Sequence, residues 1–330
     1  MNIFLAILAL VGGFVLLIKG ADWFVEGSSS VAKLLKVPTI IIGLTVVALG
    51  TSLPEASVSI SSALKGANSL AVSNVVGSNI FNTLVVLGAS ALMVPVNVQP
   101  NSVKKEIPFS ILCTFALLGS LLLGADTAVT AEGGAEITTY TLTRIGGLVL
   151  VAFFAFYMYW QISSALKARK AGELEEEEEV KTMKPLISLI AIVGGVACII
   201  LGGNFVVDGA SAIAAKFGMS ETLIGMTIVA IGTSLPELVT SMVAAKKGES
   251  DLALGNAIGS NIFNIVFILG FSALISPMTV NILAVIDTVA VIAVSALVLA
   301  FSATGKKISR VEGGIMVVAY IAYFVYMFLR

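Results

Sequence analysis

Long apolar runs separated by short polar segments dominate the chain. Crossing the hydrocarbon of a bilayer takes about 20 mostly apolar residues as a helix, and a helix satisfies its backbone hydrogen bonds without water. The pattern therefore predicts an all-α integral membrane protein with ten transmembrane helices. The predicted spans are residues 3–26, 39–64, 70–93, 107–124, 145–166, 186–212, 222–245, 252–276, 282–302 and 311–328.

The composition agrees with a membrane protein and excludes several other classes. Hydrophobic residues make up 58% of the 330 positions and charged residues 12%, compared with roughly 25% charged residues in a soluble domain. The balance of 19 Lys and Arg against 20 Asp and Glu leaves no basic surplus, so nucleic acid is not expected as a partner. Because the chain contains no histidine, a Ser-His-Asp triad and a His-ligated zinc site are excluded.

The basic residues of the loops predict the orientation of the chain. Lys and Arg accumulate in the cytoplasmic loops of membrane proteins. If the N-terminus lies outside, fourteen of them fall on the inner side and four on the outer side. We therefore expect both termini outside, in a multi-pass protein of the cytoplasmic membrane. The inner residues are Lys33, Lys36, Lys104, Lys105, Lys167, Arg169, Lys170, Lys181, Lys184, Lys246, Lys247, Lys306, Lys307 and Arg310, and the outer residues are Lys65, Arg144, Lys216 and Arg330.

Two six-residue motifs each occur twice. The chain contains GTSLPE at 50–55 and 232–237, and GSNIFN at 77–82 and 259–264. Both pairs are separated by 182 residues, and the register between the copies holds without gaps over the surrounding sequence. The chain therefore consists of two homologous halves.

Each half contains five predicted spans. The first half covers residues 1–166 and the second covers residues 186–330. The segment 167–185 joins them as a cytoplasmic linker, and its acidic run Glu175–Glu179 is typical of a solvated, disordered segment. Because five is odd, the second half enters the membrane with the opposite polarity, which predicts an inverted repeat of the kind found in alternating-access transporters. The outer polar segment 126–143 is expected to be a surface loop.

The first motif places an acid inside a predicted span in each half. Glu55 and Glu237 fall near the middle of the second and seventh spans, where a carboxylate costs at least about 2.5 kcal/mol. None of the motif-bearing spans contains an internal Lys or Arg to pair with these acids. Two unpaired acids at equivalent positions indicate a bound cation rather than a pair of protonated carboxyl groups.

The prolines of the same motif weaken the helix beside each acid. Pro54 has no N–H, so the carbonyl of Gly50 loses its helical partner, and Pro236 has the same effect on Gly232. Broken helices at the membrane midplane expose carbonyl oxygens that line a cavity or bind an ion. We therefore expect both helices to break at this position.

In each motif a hydroxyl side chain stands one helical turn before an acid or an amide, so the two side chains can share a helical face. Together with the carboxylates and freed carbonyls they are hard oxygen ligands, which suit Ca²⁺ and Na⁺, whereas zinc and copper favour thiolate and imidazole. Asn79 and Asn261 are out of step with these pairs and are expected to bond between helices. The pairs are Thr51 and Glu55, Thr233 and Glu237, Ser78 and Asn82, and Ser260 and Asn264.

At these motifs the chain resembles the cation/Ca²⁺ exchanger superfamily, specifically its prokaryotic Na⁺/Ca²⁺ exchanger branch. GTSLPE followed by GSNIFN, present twice, is similar to the two α-repeats of that family. The resemblance implies a ten-helix fold with both termini outside. It also implies a secondary antiporter that exchanges cytosolic Ca²⁺ for external Na⁺ at the midplane and needs no cofactor.

The resemblance also implies roles for individual residues. Glu55 and Glu237 correspond to the Ca²⁺ carboxylates of the family. The remaining expected contributions are hydroxyl or carbonyl oxygens from Thr51 and Thr233, flanking Na⁺ sites at Ser78 and Ser260, main-chain carbonyls of Ala48 and Ala230, and a cavity lining of Ser52, Ser234, Asn82 and Asn264.

One position departs from the family pattern. Several members carry an acid where this chain has Asn264, and the equivalent residue Asn82 is also an amide. Without that acid, the site has two carboxylates instead of three. The smaller negative charge leaves the number of bound Na⁺ ions open and argues against K⁺ co-transport.

Two other functions remain as alternatives. An H⁺/Ca²⁺ antiporter of the same superfamily could use the two acids to carry protons, although that branch typically has Asn-Ala in place of the Thr-Ser before the acid. A cation channel is a second alternative, but channels usually form their filter from a ring of subunits. An enzyme is not expected, because two isolated carboxylates lack a nucleophile, a metal triad or a cofactor motif.

Overall fold

The computed structural model describes residues 2–129, 136–171, 183–219, 228 and 230–329, and most of them are helical. The helices of the first half are α1 Ile3–Leu35, α2 Thr39–Thr51, α3 Leu53–Leu64, α4 Asn68–Met93, α5 Ser102–Leu123 and α6 Arg144–Ala171. Those of the second half are α7 Pro185–Lys216, α8 Ala230–Gly232, α9 Leu235–Lys246, α10 Ser250–Ile275, α11 Ile282–Gly305 and α12 Arg310–Leu329. The strands are β1 Val96–Asn97, β2 Ala125–Val129, β3 Glu136–Leu142, β4 Met278–Val280 and β5 Lys307–Ile308.

The described helices include eight that are long and apolar enough to cross a membrane, and α2 with α3 forms a ninth span that is bent by 52°. The protein is therefore a multi-pass membrane protein. These helices match nine of the ten predicted spans. The tenth, at 222–245, falls partly outside the described residues, and its second part corresponds to α8 and α9. The acidic run Glu175–Glu179 also lies outside the described residues.

The motif-bearing helices α4 and α10 form the centre of the bundle. In each of them, 78% of the most apolar stretch is buried, compared with 22% in α1 and 11% in α12. Large apolar side chains on the outer helices, such as Phe4, Leu148 and Leu186, stay exposed, as expected for surfaces that face lipid. The polar residues of the second motif therefore lie on the two most buried of the eight unbroken spans.

Helices α1 and α7 pack against each other in opposite directions along a seam of small residues. A Cβ atom added to Gly13 would lie 2.7 Å from the carbonyl oxygen of Gly202, and one added to Gly202 would lie 2.7 Å from that of Gly13. The backbones are in direct contact because no side chain separates them. Small residues recur every seven positions, and the facing pairs are Ala6 and Gly209, Gly13 and Gly202, Gly20 and Gly195, and Gly27 and Ser188.

Short antiparallel strands join the two halves. β1 pairs with β5, with Val96 opposite Ile308, and β3 pairs with both β2 and β4, with Tyr140 opposite Val280. The expectation of a surface loop at 126–143 was wrong for residues 126–129 and 136–142, where β2 and β3 lie. Their β-branched and aromatic residues favour strands, and β4 supplies an open edge for β3 to pair with.

Candidate functional site

The helix breaks occur at the proline motifs, as the sequence predicts. α2 ends and α3 begins on either side of Ser52, and Ser234 immediately precedes α9. Both serines leave the helical conformation, with φ and ψ of −82° and 7° at Ser52 and −95° and 6° at Ser234. Each break creates a new helix N-terminus, and Glu55 and Glu237 occupy the first turns of these helices, where backbone N–H groups favour negative charge.

The two carboxylates are fully buried, and each is hydrogen-bonded by the other half of the chain. Ser234 Oγ donates to Glu55 Oε1 at 2.8 Å, and Ser52 Oγ donates to Glu237 Oε1 at 2.9 Å. The second oxygen of each carboxylate, Oε2, is buried and has no hydrogen-bond partner among the described residues. Each acid therefore keeps one oxygen available for a cation.

Serines of the second motif complete the surroundings of each acid. Ser78 Oγ lies 3.5 Å from Glu55 Oε1, and Ser260 Oγ lies 3.4 Å from Glu237 Oε1. Ser234 Oγ also lies 3.1 Å from Ser78 Oγ, so the hydroxyls of the two halves contact each other. The serines around each acid therefore come from both halves of the chain.

Thr51 is connected to a residue that the sequence reasoning missed. Thr51 Oγ1 donates to Asn256 Oδ1 at 2.9 Å, and Asn256 Nδ2 donates to Ser241 Oγ at 2.9 Å and to the Glu237 carbonyl at 3.3 Å. Asn256 is fully buried. It stands four residues before Ser260 on α10, and this helical spacing could have identified it.

The first half contains an equivalent amide at Asn74, 182 residues earlier. Asn74 Nδ2 donates to Ser59 Oγ at 3.0 Å, and Ser59 is the counterpart of Ser241. The repeat therefore extends beyond the two motifs into the polar contacts that support them.

The buried polar residues around the two acids are called the central cluster below. They are Thr51, Ser52, Glu55, Ser78, Ser234, Glu237, Asn256 and Ser260.

The asparagines at the end of the second motif are buried in π-helical turns of α4 and α10. Both amide atoms of Asn82 and the Oδ1 atom of Asn264 have no hydrogen-bond partner within the described part of the chain. Such turns widen the helix and are frequent at functional sites. These atoms remain available for a ligand, and the role of the two residues as a cavity lining stays a prediction.

The expectation for Asn79 and Asn261 is confirmed, since both bond between helices. Asn79 Nδ2 donates to the Asn261 carbonyl at 3.1 Å, and Asn261 Nδ2 donates to Thr83 Oγ1 at 2.8 Å. Asn79 Oδ1 accepts a hydrogen bond from Asn264 Nδ2 at 3.1 Å. These contacts hold α4 and α10 together directly beside the central cluster.

The remaining predicted site residues lie at or near the helix breaks. The Ala48 carbonyl is 3.5 Å from Ser260 Oγ, which places it at the central cluster. Ala230 is the first residue of α8. Thr233 lies between α8 and α9 and is half-buried, whereas its counterpart Thr51 is buried.

Glu55 and Glu237 are the charged side chains of the central cluster. Among the described residues there is no group of three or more acidic, cysteine or histidine side chains that could hold a metal, and the ion pairs found there involve neither Glu55 nor Glu237. Burying an unpaired carboxylate is costly, so each acid needs a proton or a cation. The surrounding oxygens make the cluster chemically suited to a hard cation.

The model of the family described as sodium/calcium exchanger protein matches residues 5–163 and 187–329. The chain belongs to this family. It is 41% identical over 315 residues to the putative antiporter CaxA of Alkalimonas amylolytica, covering 94% of this chain and 95% of that protein. It is 36% identical over 343 residues to the sodium/calcium exchanger MaX1 of Methanosarcina acetivorans, covering 97% and 98%.

The fold is also that of a solved exchanger. A structure of the sodium-calcium exchanger NCX_Mj soaked with Na⁺ and Sr²⁺ is 31% identical and superposes with a TM-score of 0.80, covering 98% of this chain and 99% of that one. The resemblance to the prokaryotic Na⁺/Ca²⁺ exchanger branch is thereby confirmed. The chain is a cation/Ca²⁺ exchanger, and these relatives are exchangers and antiporters rather than enzymes.

The substitution Asn256→Ala is expected to raise the Ca²⁺ concentration needed for half-maximal exchange about tenfold. It removes the hydrogen-bond partner of the Thr51 hydroxyl and of the Glu237 carbonyl. A lost buried hydrogen bond costs about 1–3 kcal/mol. The measurement is the Ca²⁺ concentration that gives half-maximal exchange in proteoliposomes. Asn101→Ala is the matched control, since Asn101 is exposed. An unchanged Ca²⁺ dependence in Asn256→Ala would contradict a role for this amide.

Proposed function

We propose that the protein is a secondary antiporter that exchanges Ca²⁺ for Na⁺ by alternating access at the central cluster. The observation that carries the proposal is the state of Glu55 and Glu237. Both are fully buried, each has one oxygen bonded by a serine of the opposite half, and each has one oxygen without a partner among the described residues. A cation between the two halves would satisfy both free oxygens at once.

The ligand set is a proposal built on the same contacts. Ca²⁺ accepts six to eight oxygens at about 2.3–2.6 Å, a number that two carboxylates alone do not supply. Hydroxyl, amide and carbonyl oxygens near the acids would complete the shell. The proposed ligands besides the two acids are Thr51, Thr233, Ser78, Ser260, Asn82, Asn264, Ser52, Ser234 and the carbonyls of Ala48 and Ala230.

Coupling follows from the limited charge of the site. Two negative charges balance one Ca²⁺ or two Na⁺, so the two ions compete for the same carboxylates. A ligand shifts a conformational equilibrium only through different affinities for the two states. In the proposed cycle, the loaded cluster opens alternately to each side, and exchange results because Ca²⁺ and Na⁺ cannot occupy the carboxylates together.

The proposed architecture is a set of ten helices in two inverted five-helix repeats, residues 1–166 and 186–330, joined by the linker 167–185. The antiparallel packing of α1 against its counterpart α7 supports the inversion, as do the reciprocal bonds from Ser52 and Ser234. The lysine and arginine distribution supports both termini outside and a location in the cytoplasmic membrane.

Proteoliposomes test the coupling ion. Ca²⁺ uptake is expected under an outward Na⁺ gradient and absent under a pH gradient or with no gradient, because only Na⁺ would compete for the carboxylates. The three conditions are compared on one preparation with ⁴⁵Ca²⁺, and empty liposomes give the leak. Uptake driven by pH alone would replace this proposal with H⁺/Ca²⁺ exchange, and uptake without any gradient would favour a channel.

A further inference from the structure

The C-terminal half of α1 is joined by an ion pair to the end of α9. Lys247, the C-cap of α9, has its Nζ atom 2.6 Å from Glu26 Oε1, 3.3 Å from Asp22 Oδ1 and 3.4 Å from the Asp22 carbonyl oxygen. Two residues further along the chain, Glu249 accepts a hydrogen bond from Ser29 Oγ at 2.6 Å. Helix α1 is thus held at two points. We call Lys247, Asp22 and Glu26 the α1 salt bridge.

The internal repeat supplies the same lysine and an acid in the other half, but there they are apart. Lys65 and Asp208 are both exposed, and no ion pair joins them within the described residues. The buried Oγ atom of Ser211 also has no hydrogen-bond partner in that part of the chain. We call Lys65 and Asp208 the α7 pair. The equivalent residues are Lys247 and Lys65, Glu26 and Asp208, Asp22 and Asn204, and Ser29 and Ser211.

The packing of the helices differs between the halves in the same way. Helix α1 packs closely against α9, whereas the equivalent helices α7 and α3 hardly contact each other. Because the lysine and one acid are present in both halves, the difference is one of conformation. Inverted repeats place these two helix contacts at opposite ends of the bundle, so one end is closed and the other is open.

We propose that the α1 salt bridge and the α7 pair form in alternate states of the exchanger and set the side to which the central cluster opens. The inference rests on the proposed alternating access, because it assigns one ion pair to each state of that cycle. When the inverted halves exchange conformations, Lys247 leaves α1 and Lys65 reaches Asp208 on α7. In the proposed orientation, the α1 salt bridge lies on the cytoplasmic side, so the state with this salt bridge is closed to the cytoplasm.

The two lysines act as positioning residues, since they lie far from the transported ion. Lys65 and Lys247 each follow the acid of their helix by ten residues, or about 15 Å along a helix. Lys247→Gln weakens a contact made only in one state, and Lys65→Gln weakens a contact made only in the other. The two changes should therefore shift the ratio of the states in opposite directions. Partly exposed ion pairs are weak, so each shift is expected to be about two- to fivefold.

Distances between two spin labels, measured by electron paramagnetic resonance on the full-length protein in detergent, test the proposal. Cys113 and Cys198 are first replaced by alanine. One label pair is attached beside the α1 salt bridge and the other at the repeat-equivalent positions beside the α7 pair. Lys247→Gln is expected to increase the fraction with the first labels far apart and the second labels close together, and Lys65→Gln to do the reverse. The exposed label positions are Lys33 with Lys246, and Ala215 with Leu64, each replaced by cysteine.

Two further variants separate an ion pair from a general loss of packing. Glu26→Lys/Lys247→Glu exchanges the two charges and should return both distance distributions towards those of the parent. Lys104→Gln removes an exposed lysine elsewhere and should leave both distributions unchanged. No shift in Lys247→Gln and Lys65→Gln, or a shift of both in the same direction, would overturn the alternating ion pairs.

Na⁺-driven ⁴⁵Ca²⁺ uptake by the parent is measured on the same preparation. Absence of this uptake would contradict the proposed antiport, whereas the label distances would still report the two states. Unchanged distances in a protein that exchanges Ca²⁺ for Na⁺ would contradict the ion pairs alone.

Discussion

Replacing Glu55 or Glu237 by glutamine is expected to reduce Na⁺-driven Ca²⁺ uptake about 100-fold or more. Glutamine keeps the size of the side chain and an oxygen that accepts the hydrogen bond from Ser234 or Ser52. It removes the negative charge that would compensate the cation in a fully buried site. The substitution therefore separates the loss of charge from a loss of packing.

The measurement is the initial rate of ⁴⁵Ca²⁺ uptake into proteoliposomes with internal Na⁺, normalised to incorporated protein. Asp126→Asn removes an exposed carboxylate and should transport at the parent rate. The melting temperature of each variant in detergent reports whether it folds. Exchange at the parent rate in both Glu55→Gln and Glu237→Gln would remove these carboxylates from the mechanism.

The double variant adds a check on whether the acids share one site. If both carboxylates bind the same ion, either single change already removes most of the activity, and combining Glu55→Gln with Glu237→Gln should reduce the rate little further. Residues that act as a unit are strongly non-additive in this way. Two independent sites would instead give a double variant whose loss is the product of the single losses.

The helix breaks and the buried acids were predictable because their causes are local. Pro54 and Pro236 cannot donate a backbone hydrogen bond, and the helix breaks two residues before each of them, at Ser52 and Ser234. The repeat then indicated that Glu55 and Glu237 belong together, since equivalent positions in two homologous halves have equivalent surroundings. Composition and spacing were sufficient for this part of the site.

The contacts between halves were not predictable from spacing. The sequence places Ser52 beside Glu55, but the structure bonds it to Glu237, which is 185 positions away. The spacing of Asn256 to Ser260 could have placed it on the same helical face, but its bond to Thr51 could not be predicted, because Thr51 lies in the other half. Such pairings depend on how the end of α2 packs against α9 and α10, and no local pattern encodes that packing.

The strands were missed because their stability comes from pairing rather than from a hydrophobic period. The segment 126–143 is polar and resembles a loop, yet Tyr140 pairs opposite Val280 in a strand that follows α10. Short strands of this kind form when a partner edge is present. The sequence carried the β-branched residues but gave no indication of the partner.

The second large expected effect is a loss of stability when the glycines between α1 and α7 are replaced. Gly13→Ala and Gly195→Ala are each expected to lower stability by about 1–3 kcal/mol, the usual cost of overpacking. A Cβ at Gly13 would lie 2.7 Å from the Gly202 carbonyl oxygen, and one at Gly195 would lie 2.8 Å from that of Gly20. Because backbone atoms cannot turn away as a flexible side chain can, the helices themselves must separate.

The adjacent glycines provide matched controls. A Cβ added at Gly12 or Gly194 meets nothing within 4 Å, so Gly12→Ala and Gly194→Ala should be neutral or slightly stabilising, since alanine is favoured over glycine in a helix by about 1 kcal/mol. The melting temperature of the purified protein in detergent distinguishes the two sets. Both clashes push the same two helices apart, so the double variant should lose less than the sum of the two single losses. If all four alanine variants melt at the same temperature, the two helices are not in backbone contact, and the antiparallel packing that supports the inverted repeat would have to be abandoned.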